Sequence, residues 1–347
     1  MKILVTGQQG YIGLVLVPML QEAGHEVVGM DSGLFEDCVA GEEPPRPPAI
    51  AKDVRDVEAA DLEGFDAVLH LAGLSNDPLG DFDPEVTYEI NYRASVKLAE
   101  LAKAAGVERF VFSSSCSLYG ASGDDMIDET GSFSPVTPYG ESKILSEQGI
   151  SPLADDNFSP TFLRNATAYG FSPRLRGDLV VNNITAFAYT TGEALIKSDG
   201  TPWRPLVHIE DISRAFVAVV NADRDKIHNE AFNVGATKEN YQISDVADIV
   251  QEEIPGSKIV YAEGGGPDLR CYKVDCEKLP ATLPEFRCEW DVRRGVQQLR
   301  DAYQELGLTL DDFLGTRYMR IRHIKEGQEQ GAIDSTLRPA ALARSDS

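Results

Sequence analysis

The chain has 347 residues, 42% of them hydrophobic, and carries 56 acidic against 32 basic residues for a formal net charge of −24. That length and apolar share exclude a disordered chain and suit one large α/β domain or two smaller lobes. The charge repels nucleic acid and anionic membranes, so no partner of either kind is expected, and an anionic substrate would need a local cluster of arginines.

"MKILVTG" reads as a short buried strand (Lys2–Thr6) and a glycine turn, not as a secretion signal, and no apolar stretch approaches the roughly 20 residues of a membrane span. A helix, "YIGLVLVPMLQEAG", follows, then a second strand, "HEVVGMD", ending at Asp31. "GEEPPRPPAI" is a proline-broken loop. Residues 65–72 read as another strand, and 84–105 as one long helix with Val86, Ile90, Leu98 and Leu101 at helical spacing. "VERFVFS" is the next strand, "PYGESKILSEQ" a helix and "PTFLRN" one more strand. Beyond Asn165 the rhythm loosens: "LVVNNITAFAYTTG" reads as a helix, "RPLVHIEDISRAF" as a strand entering a helix, and "AFNVG" as a strand returning to the main sheet. From Tyr241 to about Arg320 come short helices and a glycine-rich loop, "EGGGPDLR", and the polar tail after Lys325 is expected to be mobile. Strand alternating with helix predicts parallel strands joined by crossover helices.

Gly7, Gly10 and Gly13 stand between the first strand and its helix, spaced G-x-x-G-x-x-G. Glycines there let backbone N–H groups and a helix N-terminus approach a pyrophosphate. Asp31, at the end of the second strand, can accept hydrogen bonds from an adenosine ribose, and no arginine follows it directly. This favours NAD over NADP. Asp53 and Val54 are candidate neighbours of the adenine, with a simple loop cap the competing reading for Asp53. Tyr139 and Lys143 lie at i and i+4 on one helix face. An ammonium about 4 Å from the phenol would lower its pKa by up to ~3 units and make it a usable base. Cys38, Cys116, Cys271, Cys276 and Cys288 form no metal-ligand spacing, so they read as reduced thiols of a cytoplasmic protein without a metal.

The set T-G-x-x-G-Y-I-G, the acid at Asp31, "HLAG", Asn91, "SSSCSLYG" and "YGESK" resembles the extended short-chain dehydrogenases/reductases. It is closest to their NAD-dependent nucleotide-sugar epimerase/dehydratase branch, from Lys2 to about Tyr272. The resemblance implies a Rossmann-type doubly wound parallel sheet with a smaller C-terminal α/β substrate-binding lobe. Residues 1–165 with about 205–235 would hold NAD, about 166–204 with 236–325 the nucleotide sugar, and 326–347 would be a flexible tail. It adds Tyr11, Ile12, Leu71, Ala72, Asn91 and Ser113 to the cofactor set, and Ser115 as the hydroxyl beside the reacting group, with Tyr139 as base and Lys143 as its helper. For the nucleotide-diphosphate sugar it implies Ser75, Asn76, Ser117, Asn165, Thr167, Arg204 and Arg270, together with Asn182 or Asn183, of which Asn183 is carried as the candidate. Thr167 stands where relatives keep an asparagine. Asp77 either accepts sugar hydroxyls or faces solvent. Homodimerisation through two long helices is implied by the resemblance alone.

The pair after Ser115 separates the reactions. Relatives that dehydrate sugars carry Asp-Glu there, whereas this chain has Cys116-Ser117. The expectation is therefore 4-epimerisation through a 4-keto intermediate, with dehydration, decarboxylation or ketoreduction as the alternative. A non-catalytic NAD-binding regulator is the third reading, disfavoured because both Tyr139 and Lys143 are kept.

Overall fold

The computed structural model describes residues 1–75, 77–263 and 270–343. Five short apolar runs form β1 (Lys2–Thr6), β2 (Glu26–Asp31), β3 (Ala49–Ala51), β4 (Ala67–His70) and β5 (Arg109–Ser115). β6 (Ala121–Ile127) leaves their sheet and β7 (Ser159–Asn165) rejoins it. After β8 (Thr167–Tyr169), β9 (Glu193–Ile196) and β10 (Trp203–His208), the chain returns once more as β11 (Glu230–Val234). The seven-stranded sheet has the order β11-β7-β5-β4-β1-β2-β3, with every neighbouring pair parallel.

Strand order reverses between β1 and β4, which opens a crevice at the carboxyl ends of the strands. Alternation along β1 sends Ile3 and Val5 to one apolar layer, with Phe216 and Phe232, and Leu4 to the other, with Phe110 and Leu98. Both faces are covered, as an all-parallel sheet requires. The second lobe is built from small sheets. β12 (Asn240–Gln242), β10 and β8 form one, β13 (Lys258–Tyr261) pairs with β9, and β14 (Cys271–Val274) pairs with β6.

Two expectations need correction. The helix expected over 84–105 is interrupted: α-helical Pro84–Tyr88 and Ala94–Ala104 flank a π-helical turn, Glu89–Arg93, which turns Asn91 inward. The tail is not loose through its described length. A helix, Arg320–Glu329, and the chain beyond it bury Ile324, Ile333 and Leu337 in the same apolar layer as Leu4 and Val54. Three apolar residues among many polar ones are enough to dock the segment. No described helix is long and apolar enough to cross a membrane.

Candidate active site

A cleft of about 580 Å³ runs along the carboxyl ends of the strands and into the second lobe. Its floor is the glycine turn. Gly7 has φ +75°, and a Cβ there would come within 2.8 Å of the Ala72 backbone nitrogen. A Cβ on Gly13 would meet the Gly7 carbonyl oxygen at 2.4 Å. Side chains at either position would break the turn. Gly10, Tyr11, Ile12, Leu71 and Ala72 line the same end of the cleft.

Asp31 accepts hydrogen bonds from the Gln9 N–H (3.1 Å) and the Gly33 N–H (2.9 Å). Burial pushes its carboxyl above the usual range, against those two bonds. Asp53 and Val54 lie beside it. The Asp53 carboxylate caps a short turn and binds the Arg55 guanidinium, with Nη2 2.6 Å away. Its loop-cap role is therefore real, although the residue also lines the cleft.

The serine strip ends β5, and the helix Pro138–Ile150 packs over it. Thr137 caps that helix by accepting the Gly140 N–H at 3.2 Å, with Pro138 in the first turn. This fixes Tyr139 and Lys143 over the strip. Lys143 Nζ donates to the Ser113 carbonyl oxygen at 2.7 Å and sits 5.7 Å from the centre of the Tyr139 ring. Ser115 Oγ donates to Ser117 Oγ at 3.1 Å, and Asn165 Nδ2 donates to Ser113 Oγ at 3.1 Å. Behind the strip, Ser114 Oγ donates to Glu147 Oε1 at 2.5 Å and Arg164 pairs with the same carboxylate at 2.7 Å. Cys116 is fully buried and donates to the Arg164 carbonyl oxygen, while burial pushes its thiol up.

The expected acidification of the phenol by Lys143 is not what the site's own groups produce. Burial dominates and pushes Tyr139 up to about 12, with Asp77 adding to the rise and Ser115 and Arg176 opposing it. Burial also pulls Lys143 down to about 8, with Glu147 opposing. The spacing argument counted one ammonium and left out the water lost by both groups.

Asn91 lies off the cleft wall. It is buried, accepts the Leu74 N–H at 2.8 Å and donates to the Leu74 carbonyl oxygen at 2.9 Å. It holds the loop after β4 from within a π-helical turn and is not among the residues that line the cleft. Asn76, expected at the sugar, lies outside the described residues. Asp77 does not face solvent: it accepts the Thr137 hydroxyl at 2.6 Å and pairs with Arg270 at 2.7 Å.

Ser75, Ser117, Asn165, Thr167, Asn183, Arg204 and Arg270 all line the cleft. Asn182 turns away, accepting the Gly170 N–H and donating to the Arg176 carbonyl oxygen. Arg204 is buried, donates to the Trp203 carbonyl oxygen at 2.8 Å and to the Arg270 carbonyl oxygen, and stands over the Tyr272 ring. Sequence reasoning missed Arg176. Its guanidinium pairs with Asp178 at 2.8 Å, donates to Ser75 Oγ at 2.8 Å, and favours the charged form of Tyr139. It comes from the loop "SPRLRGD", where no periodicity tells which side chain points inward. Lys197 and Tyr272 also line the cleft and were likewise missed.

The residues suit a dinucleotide on grounds internal to the chain. The turn is a backbone cradle that Cβ atoms would fill. Gln9 Oε1 and Asn165 Oδ1, both on lining residues, are buried without hydrogen-bond partners among the described residues.

Comparison with known proteins agrees. UDP-glucose 4-epimerase of Mus musculus is 28% identical over 311 residues, covering 78% of this chain and 88% of the relative. UDP-glucose 4-epimerase of Bacillus subtilis (strain 168) is 25% identical over 327 residues, covering 86% and 94%. Among solved structures, MoeE5 in complex with UDP-glucuronic acid and NAD superposes with a TM-score of 0.75 at 26% identity, covering 88% of this chain and 99% of that one. Residues 3–235 match the family model described as "NAD dependent epimerase/dehydratase family". The match takes in the glycine turn, the serine strip and the tyrosine helix, and the chain belongs to the NAD-dependent epimerase/dehydratase family.

Proposed function

We propose that the protein is an NAD-dependent nucleotide-sugar epimerase that inverts C4 of the sugar through a 4-keto intermediate. The observation that carries this reading is the chemistry beside Ser115. Tyr139, Ser115 and Lys143 gather on one wall of the cleft, and the next residue, Cys116, is a buried thiol turned into the core. One base and one hydroxyl suffice to take the C4 hydroxyl proton and to return it. Elimination of water needs a further acid and base, and Cys116 and Ser117 supply neither carboxylate.

Gly7, Gly10, Gly13 and Asp31 would hold the dinucleotide, with the N–H groups of the turn on the pyrophosphate and the carboxylate on the ribose. When bound, oxidised NAD supplies a hydride acceptor and a positive charge near the phenol. Tyr139 then takes the proton of the sugar hydroxyl, and Ser115 steadies the same oxygen. Arg204 and Arg270 hold the diphosphate by charge-assisted bonds, and Asn183, Thr167 and Ser75 line the rest of the path. The relatives named UDP-glucose 4-epimerase make UDP-hexoses the first substrates to try.

The test is incubation with a panel of nucleotide sugars, reading mass and C4 configuration together. Unchanged mass with inverted C4 is the expected result. Loss of water or of carbon dioxide would replace the reading with dehydration or decarboxylation. A cytoplasmic setting belongs to the same proposal, supported by five unpaired cysteines. So does a homodimer, supported by the family resemblance, with light scattering at the mass of two chains as its check.

A further inference from the structure

The segment after Met319 lies beyond the residues that the family model matches, yet it reaches the cleft. Arg320 is buried, donates to the Arg174 carbonyl oxygen at 3.0 Å and lies 4.6 Å over the Phe35 ring. His323 Nε2 is 2.9 Å from the Leu34 carbonyl oxygen. Further along, the Thr336 carbonyl oxygen accepts from Arg55 Nη1 at 2.8 Å, and Arg338 Nη2 is 3.0 Å from Asp56 Oδ1. The segment therefore clasps two loops at once, the one after β2 and the one after β3. These are the loops on either side of the Asp31 carboxylate.

Leu337 is the point of the clasp. It is buried, packs in the layer that holds Val54 and Met30, and lines the cleft. Its φ is +63°, a left-handed conformation that a branched side chain disfavours and glycine accepts readily. A bulky side chain is held there by the Leu337 N–H to Asp334 carbonyl bond and the bridge between Ile333 and Pro339. An unfavourable backbone kept at the mouth of a binding cleft points to a use for the side chain.

We infer that this segment is the outer wall of the adenosine end of the site, with Leu337 as a positioning residue packed behind that wall and Arg320 and Arg338 pinning the flanking loops. The inference rests on the dinucleotide reading of the cleft. It makes cofactor retention a property of a segment remote in sequence from the glycine turn.

ADP-ribose, which carries adenosine and diphosphate without nicotinamide, is the probe. Leu337→Gly relieves the backbone while deleting the side chain. By calorimetry it is expected to weaken ADP-ribose binding about tenfold, because the wall it holds in place loosens, while leaving UDP binding unchanged. Equal ADP-ribose affinity in the variant and the parent overturns the inference. Hydrogen exchange on the unaltered chain needs no variant. ADP-ribose should slow exchange at 333–338 together with 32–35, and slowing at 32–35 alone overturns the inference. A parent chain stripped of any co-purified nucleotide that binds neither ADP-ribose nor NAD refutes the dinucleotide reading itself, and the inference falls with it.

Discussion

Tyr139 and Lys143 over the serine strip form one side of the comparison, and Arg176 and Arg270 among the other cleft-lining residues form the second; Tyr139, Lys143 and Arg176 are buried and Arg270 about a third exposed, and the two groups treat charge differently. On the tyrosine wall burial wins. The phenol is pushed up to about 12 and the ammonium pulled down to about 8, so both lean toward their neutral forms. On the arginine wall each cation has an acid beside it, Asp178 for Arg176 and Asp77 for Arg270. For the phenol, the desolvation cost of ionising is one that an arriving positive charge can offset. The arginine wall holds the guanidinium groups that the proposed function assigns to a diphosphate. In a chain of net charge −24, such a patch must be built locally.

If that division is right, substitutions on the two walls should separate turnover from binding. The largest effect is expected for Tyr139→Phe: a loss of about 10²–10⁴ in kcat, the range of a removed general base, with bound cofactor content unchanged. Retention of most of the turnover would break the contrast at its root. Arg204→Ala should raise the KM for the nucleotide sugar by roughly 10–100-fold, the loss of one or two charge-assisted bonds, with kcat little changed. A fall in kcat at constant KM would move Arg204 into the chemistry.

Asn91→Ala tests whether the residue holds the loop or the cofactor. Orphaning the buried Leu74 groups should cost about 1–3 kcal/mol and lower the melting temperature by several degrees with or without NAD. A change seen only with NAD bound would return Asn91 to the cofactor set. The smallest effect is a gain. Lys143→Met should raise the melting temperature of the ligand-free chain by a few degrees at pH 7 while abolishing turnover. The sign follows from Lys143 being lowered from 10.5 to about 8. Below pH 8 both folded and unfolded chains hold the proton, and the folded one bears the full burial cost. Between 8 and 10.5 the unfolded chain holds more protons, so stability rises with pH and the advantage of methionine fades. An advantage that grows with pH would contradict the assignment.

The glycine floor and the tyrosine wall were readable because their signals are local. Three glycines, Asp31 and the Tyr139–Lys143 spacing each fall within one strand, turn or helix, and the elements around them follow from hydrophobic period. The arginine wall comes from separate segments around 176, 204 and 270, so only resemblance pointed to Arg204 and Arg270, and nothing pointed to Arg176. Asn91 was assigned to the cofactor by resemblance alone, which says nothing of the π turn that carries it or of its bonds to Leu74. The segment after Lys325 looked mobile because polar composition hid Ile333 and Leu337, whose contacts lie with residues near position 54. The pKa of Tyr139 was misjudged for a different reason: spacing reports which charges are near, but not how much water is removed.

The central claim is that the cleft takes hydrogen from C4 and gives it back to the same sugar without exchange with solvent. A nucleotide hexose carrying deuterium at C4, such as UDP-glucose, tests it directly in light water. The expected product is the C4 epimer with its deuterium retained and its mass unchanged. Epimerisation with the deuterium washed out, or product formed only with loss of water or carbon dioxide, would contradict the account.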